Sequence, residues 1–263
     1  MGRIHRRGFT LVELLIVIGI IVVLLSILVP AVGSAQKLAQ RTTCQNNVRS
    51  LLLATQQYVV NDAESRLPYP NFGGATNGGP GSIGDDPTNP GWLYRWPNYG
   101  NTPDDMKTGT LWKYIQDERV YHCPQQNPQD PMVSSSPQPS INITSYIVNR
   151  QVYFPAMTLN KSAKPPNSMT RFRNPSGSIL FFECAPYGQD VSTGLASSSV
   201  PNGYFDDGAS FPTENSISNR HGAGTSVGFL DGHVEFYDLN SYQSALNQFP
   251  GPFYCNPDTA TGQ

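Results

Sequence analysis

The sequence predicts an α+β protein, with one long N-terminal helix packed on an antiparallel β-sheet that carries long Gly/Pro-rich loops. Three observations lead there. Residues 7–32, RGFTLVELLIVIGIIVVLLSILVPAV, form an apolar run broken by one acidic residue, Glu13. A stripe of apolar residues at helical spacing continues that run to about residue 61. Beyond it, short apolar stretches are separated by Gly and Pro, and one of them has the pattern of a β-hairpin. The chain has 263 residues, enough for one large domain or two small ones. It is 38% hydrophobic, and the first 32 residues take a disproportionate share. The body, rich in Gly, Pro, Asn, Ser and Tyr, suits a loop-rich domain with a modest core. It is too aromatic and too patterned for disorder.

The first element is the helix. Phe9 to Val32 is long enough to cross a bilayer, which takes about 20 helical residues. Arg3, His5, Arg6 and Arg7 precede it, so the positive-inside rule keeps the N-terminus cytoplasmic and exports the body. The run is longer than the apolar part of a secretory signal, and Ser34-Ala35-Gln36 is a poor cleavage site. A carboxylate at the depth of Glu13 is costly unless a partner neutralises it. After Pro30 and Gly33, residues Leu38, Cys44, Val48, Leu51, Leu52, Thr55, Tyr58 and Val59 make a single stripe. Between them stand Lys37, Arg41, Gln45 and Arg49. One helix is expected to run to about Asn61, weakened or kinked near Pro30.

The string Arg7-Gly8-Phe9-Thr10-Leu11-Val12-Glu13-Leu14 resembles the cleavage and methylation signature of type IV prepilins and type II secretion pseudopilins. The resemblance implies a leader at 1–8, a transmembrane half-helix at 9–32, its amphipathic continuation at 33–61 and an exported domain at 62–263. It implies that a membrane-embedded prepilin peptidase cuts between Gly8 and Phe9 and methylates the new amine of Phe9. Gly8, lacking a Cβ, lets a peptidase approach the backbone. In pilin-like filaments Glu13 would then pair with the Phe9 ammonium of a neighbouring subunit. That pairing satisfies two groups that are each costly alone in an apolar medium. A plain signal anchor with an incidental Glu13 is the alternative.

In the body, residues 62–110 read as loop, with an aromatic knot at Trp92, Tyr94, Trp96 and Tyr99 that either pins the loop or binds sugar or protein. Thr110 to Glu118 reads as a short helix with Leu111, Trp112 and Ile115 inward. Strands are expected at Ile141–Val148, Val152–Phe154 and Ser178–Cys184, the last being the most buried. A polar excursion follows from Tyr187 to Asn215. Val227, Phe229, Val234 and Phe236 alternate about Asp231-Gly232, which predicts a hairpin at about 225–238. His221, nine residues, then Asp231-Gly232 resembles the C-terminal signature of a large pilin-like family that also carries the prepilin leader. Cys44 with Asn46-Asn47, Cys123-Pro124 and Cys184 fall near that family's recurring positions.

Metal ligation is conceivable at His221, Asp231, His233 and Glu235, against the plainer reading that His221 and Asp231 fix the hairpin. The acidic pairs Asp85-Asp86, Asp104-Asp105 and Asp206-Asp207 read as solvated loop tips or cation sites. Cys44, Cys123, Cys184 and Cys255 include no CxxC pair, which argues against a zinc ribbon, and an even count in an exported chain favours disulfides. Three connectivities are open. Cys44–Cys123, stapling helix to body, with Cys184–Cys255 is one, each closing about 70 residues and contributing about 2–4 kcal/mol. His122 beside Cys123 reads as incidental.

The formal net charge is -2, and without the three arginines of the tip 14 basic residues face 19 acidic ones, so no nucleic-acid partner is expected. No GxSxG, HExxH or phosphate-cradling loop appears, so no enzyme and no cofactor beyond a structural metal ion is expected. The reading is a structural subunit of a type IV pilus-like or type II secretion pseudopilus filament. It would be anchored in the inner membrane with its body in the periplasm. Its partners would be the prepilin peptidase/methyltransferase, identical or related pilin subunits and the inner-membrane assembly machinery. Alternatives are a membrane-anchored binder of glycans or envelope proteins and a metal-dependent exported enzyme.

Overall fold

The computed structural model describes residues 10–71, 85–86, 89–95, 103–126, 143–153, 168–184, 208–210, 212, 218, 220–248 and 251–254. Contacts divide the chain into two compact units, Met1–Ala39 and Gln40–Gln263. Gly8, Phe9, Trp96, Tyr99, Phe154, Asp206-Asp207, Cys255 and most of the 187–215 excursion lie outside the described residues.

The helix α1 spans Leu11–Asn61, ending where the sequence places its end. It runs unbroken through Pro30. In the first unit the apolar side chains from Leu11 to Val32 are exposed on every side of the helix. Such a surface suits hydrocarbon and not water. The helix is long and apolar enough to cross a membrane. In the second unit Cys44, Asn47, Val48, Leu51, Leu52, Ala54, Thr55 and Val59 are buried. Their spacing of three, four and seven puts them on one face. Leu38, read as part of that stripe, is exposed.

The face covers a five-stranded sheet. Its strands are β3 (Tyr146–Asn149), β4 (Ile179–Glu183), β5 (Ala209–Ser210), β6 (Gly224–Phe229) and β7 (Val234–Asp238). Their order is β5-β3-β4-β6-β7. The four longer strands are antiparallel, and the two-residue β5 joins the edge in parallel. Apart from it, Asp85–Asp86 (β1) pairs with Asn89–Pro90 (β2). Every residue of β4 is buried, as a continuous apolar run predicts for a strand with neighbours on both edges and both faces. Tyr146 and Val148 join the cluster around α1, while Ile147 joins the opposite one, the period-two alternation of a strand. Alternation breaks in β4, where Leu180 and Phe181 both face the α1 cluster, and the ladder shifts register between Ile179 and Phe181.

The opposite face is closed by α4 (Leu239–Asn247) through Tyr242, Ala245 and Leu246, together with Phe253. Asp238 caps α4 by accepting from the Ser241 amide at 2.8 Å. At Gly228 a Cβ would stand 2.6 Å from Val48 Cγ1 and 2.8 Å from Leu52 Cδ1. The absence of a side chain there lets α1 lie directly on β6.

The hairpin forms as expected. Gly232 (φ 98°) follows a turn closed by its amide on Phe229 O, and the Phe229 amide donates to His233 O. This three-residue connection needs a left-handed residue at that place. Other elements differ from the sequence reading. The segment at Val152 is a 3-10 turn over Arg150–Val152 and not a strand, because the Asn149 side chain accepts from the Gln151 amide and halts the extended chain. Strand β3 begins only at Tyr146. Upstream, the Thr144 hydroxyl donates to Tyr121 O, which draws the chain out of the ladder. The expected helix at 110–118 shortens to α2 (Trp112–Ile115), ended by Gln116 in left-handed geometry.

Of the aromatic knot, Trp92 and Tyr94 are core residues. Trp92 stacks with Tyr121 at 6.2 Å, meets Phe181 edge-on at 5.2 Å and donates from Nε1 to Gly208 O at 2.9 Å. Buried Asn71 (φ 51°) accepts from the Leu93 amide and donates to Tyr94 O, holding the segment down. Asp104 pairs with Lys107, and Asp105 is buried.

Candidate functional site

Among the described residues two places carry chemistry, and each is marked by a carboxylate in an otherwise apolar stretch of sequence. The first is the start of α1. Glu13 Oε2 accepts from the Thr10 amide at 2.8 Å and from Thr10 Oγ1 at 2.9 Å. The Glu13 amide donates back to Thr10 Oγ1 at 3.2 Å. This is a capping box, in which Thr and Glu three residues apart satisfy each other's free amides. It assigns Glu13 a duty within its own chain that the sequence reading missed, although the T-x-x-E spacing shows it.

The second place is buried in the body. Cys44 lies on α1, Cys123 follows a 3-10 turn over Glu118–Tyr121, Glu183 ends β4, and His221 sits in α3 (Arg220–Ala223), the single turn leading into β6. These four offer one thiol, thiol, carboxylate oxygen and imidazole nitrogen each, all within 4.8 Å of one another. His221 Nε2 is 3.0 Å from Cys44 Sγ, 3.2 Å from Cys123 Sγ and 3.5 Å from Glu183 Oε2. The side chains of His221 and Glu183 are wholly buried.

Local geometry aims each group. His221 (φ 60°) and Gly222 (φ 86°) adopt left-handed backbone, turning the imidazole inward just before β6 begins. The Gln125 side chain accepts from the His221 amide at 2.9 Å, and the Gln125 amide donates to Cys123 Sγ at 3.4 Å. Asn47 Nδ2 donates to Arg119 O and His122 O, fixing the turn before Cys123 against α1. The Cys123 amide donates to Ser145 Oγ at 2.7 Å. Arg220 Nη1 stands 3.3 Å from both Glu183 Oε1 and Cys184 O. Among the described residues, neither Glu183 Oε2 nor His221 Nδ1 has a hydrogen-bond partner.

The charges are set by these contacts. Burial raises the Glu183 carboxyl, but His221 and Arg220 outweigh it and hold the group below its usual range. Burial also opposes the His221 imidazolium, yet Cys123 and Glu183 carry it up to about 9. Contact with Cys44 and then burial push the Cys123 thiol upward. Burial likewise raises Cys184.

The sequence reading considered Cys44–Cys123 as a disulfide, and the structure differs: Cys44 and Cys123 are free thiols, gathered with His221 and Glu183. The proposed Cys184–Cys255 pairing reaches outside the described residues. His221 is not joined by Asp231 and His233. His233 Nδ1 instead contacts Asp231 Oδ1 at 2.5 Å, its ring stacks on Phe229 at 4.0 Å, and Glu235 lies 3.7 Å from its Nε2. Glu183 was missed, though an acid inside ILFFEC is the same anomaly that draws attention to Glu13.

A family model described as the prokaryotic N-terminal methylation motif matches residues 3–29. No curated protein and no solved structure matches the chain. The chain therefore carries a prepilin N-terminal methylation motif joined to a long apolar helix, which supports a type IV pilin-like or pseudopilin subunit. The motif implies processing by a prepilin peptidase and assembly with other pilin subunits, and together with the apolar helix it fits membrane anchoring. The match does not reach the C-terminal His221/Asp231-Gly232 signature.

Proposed function

We propose that the protein is a filament subunit of a type IV pilus-like or secretion pseudopilus assembly, cut between Gly8 and Phe9 and methylated at Phe9. Its work is mechanical and not catalytic: the body stands in the periplasm or outside the cell, and the helix joins it to its neighbours. The observation that supports this most is the methylation motif at 3–29, which runs directly into a helix whose apolar side chains face outward all round. Such a helix finds its partners either in lipid or in other helices of the same kind. An ammonium at Phe9 would approach Glu13 of an adjacent subunit, setting the axial register.

Mass spectrometry of the protein from its own cell envelope tests the processing. The expected chain begins at N-methylated Phe9, and Gly8→Val leaves the full precursor. A mature chain that still begins at Met1, in cells with an active prepilin peptidase, overturns the proposal.

A further inference from the structure

We propose that Cys44, Cys123, Glu183 and His221 form a structural zinc site. This rests on the body alone and is independent of the filament reading.

The argument begins with a crowded nitrogen. His221 Nε2 faces two sulfurs and a carboxylate oxygen at 3.0, 3.2 and 3.5 Å. One N–H serves one acceptor well, so at most one of these contacts is a good hydrogen bond. Three electron-rich atoms gathered round a fourth are held economically by a shared cation. Zinc stands about 2.3 Å from thiolate sulfur and about 2.0–2.2 Å from imidazole nitrogen or carboxylate oxygen, so tetrahedral ligand atoms lie about 3.3–3.8 Å apart. The observed separations need only small adjustments to meet that geometry.

The donor set selects the metal. Two thiolates disfavour calcium and magnesium, which take oxygen ligands, while thiolate, imidazole and carboxylate together suit Zn2+. Charge closes as well. Two thiolates and one carboxylate balance Zn2+ and the adjacent Arg220 guanidinium. The surroundings also behave as a supporting shell. Arg220 engages the outer oxygen of Glu183, leaving Oε2 turned to the site beside His221 Nε2. The Gln125 amide donates to Cys123 Sγ. Such outer contacts orient ligands and tune their basicity.

Four protein ligands leave no open position, which marks a structural centre and not a catalytic one. The ion would tie together α1, the loop at Cys123, the end of β4 and the turn entering β6. Binding displaces the protons of both thiols and of the His221 imidazolium, so affinity falls with acidity.

The test uses the full-length chain, purified in detergent under reducing conditions and titrated with Zn2+ and with Co2+ as a spectroscopic probe. One ion per chain is expected, with a thiolate-to-cobalt charge-transfer band, and Tm falls when a chelator removes the metal. Cys44→Ser and Cys123→Ser each lose that band in part. Glu183→Gln weakens Zn2+ binding by at least about 10–100-fold, the range typical even of supporting residues. His233→Ala leaves binding unchanged. The wild-type cobalt spectrum needs no variant and so decides the matter if a substitution fails to fold. Substoichiometric binding with all thiols reduced overturns the proposal. So does a cobalt spectrum without thiolate character, or a Cys44–Cys123 disulfide in protein taken from its own cell envelope.

Discussion

Glu13 caps its own helix and, in the proposed filament, has a second office, and a single substitution would confuse the two. Within its own chain it closes a capping box with Thr10. In an assembly it would neutralise a neighbour's Phe9 ammonium. Glutamine serves the capping box as well as glutamate does but carries no charge. Glu13→Gln is therefore expected to be processed normally and to fail in filament assembly as fully as Glu13→Ala, scored by sheared-filament yield and subunit cross-linking. Recovery of assembly in the Gln variant alone would show that capping, not charge, is what matters. Glu183 is the counterpart in the body, a carboxylate made tolerable by Arg220 and His221. A buried charge deprived of such partners is strongly destabilising.

At the scale of elements, the junction of α1 with β6 decides the fold. The helix can approach only because Gly228 presents no Cβ to Val48 and Leu52. Its φ is unexceptional, so what is needed there is space and not backbone freedom. Gly228→Val is expected to lower stability by about 1–3 kcal/mol, the usual cost of overpacking. Urea unfolding of the full-length protein in detergent measures it, and a neutral result would mean that α1 does not rest on β6 as described. The elements themselves were legible to different degrees. The end of α1, strand β4 and the hairpin follow from periodicity and turn chemistry. The strand expected at Val152–Phe154 did not form at Val152, because the Asn149 side chain accepts from the Gln151 amide and propensity yielded to a local hydrogen bond.

Over the whole molecule, residues 91–95 are bound into the core through Trp92. That residue is fully buried, so it is unavailable as a surface platform for glycans or proteins. Trp92→Ala is expected to cost about 3–5 kcal/mol, as large aromatic truncations do, and to lower Tm in a thermal scan. A variant as stable as the parent would place Trp92 outside the core. The linear sequence by itself determined the methylation motif, the apolar helix, its amphipathic continuation and the hairpin, because each rests on neighbours within a few residues or on a fixed period. Tertiary structure alone decided that Cys44, Cys123, Glu183 and His221 meet. They are spread over 177 residues of chain, and no local spacing encodes their encounter. It follows from helix, loop and strands converging on one layer of the core, where long-range packing sets the distances between side chains.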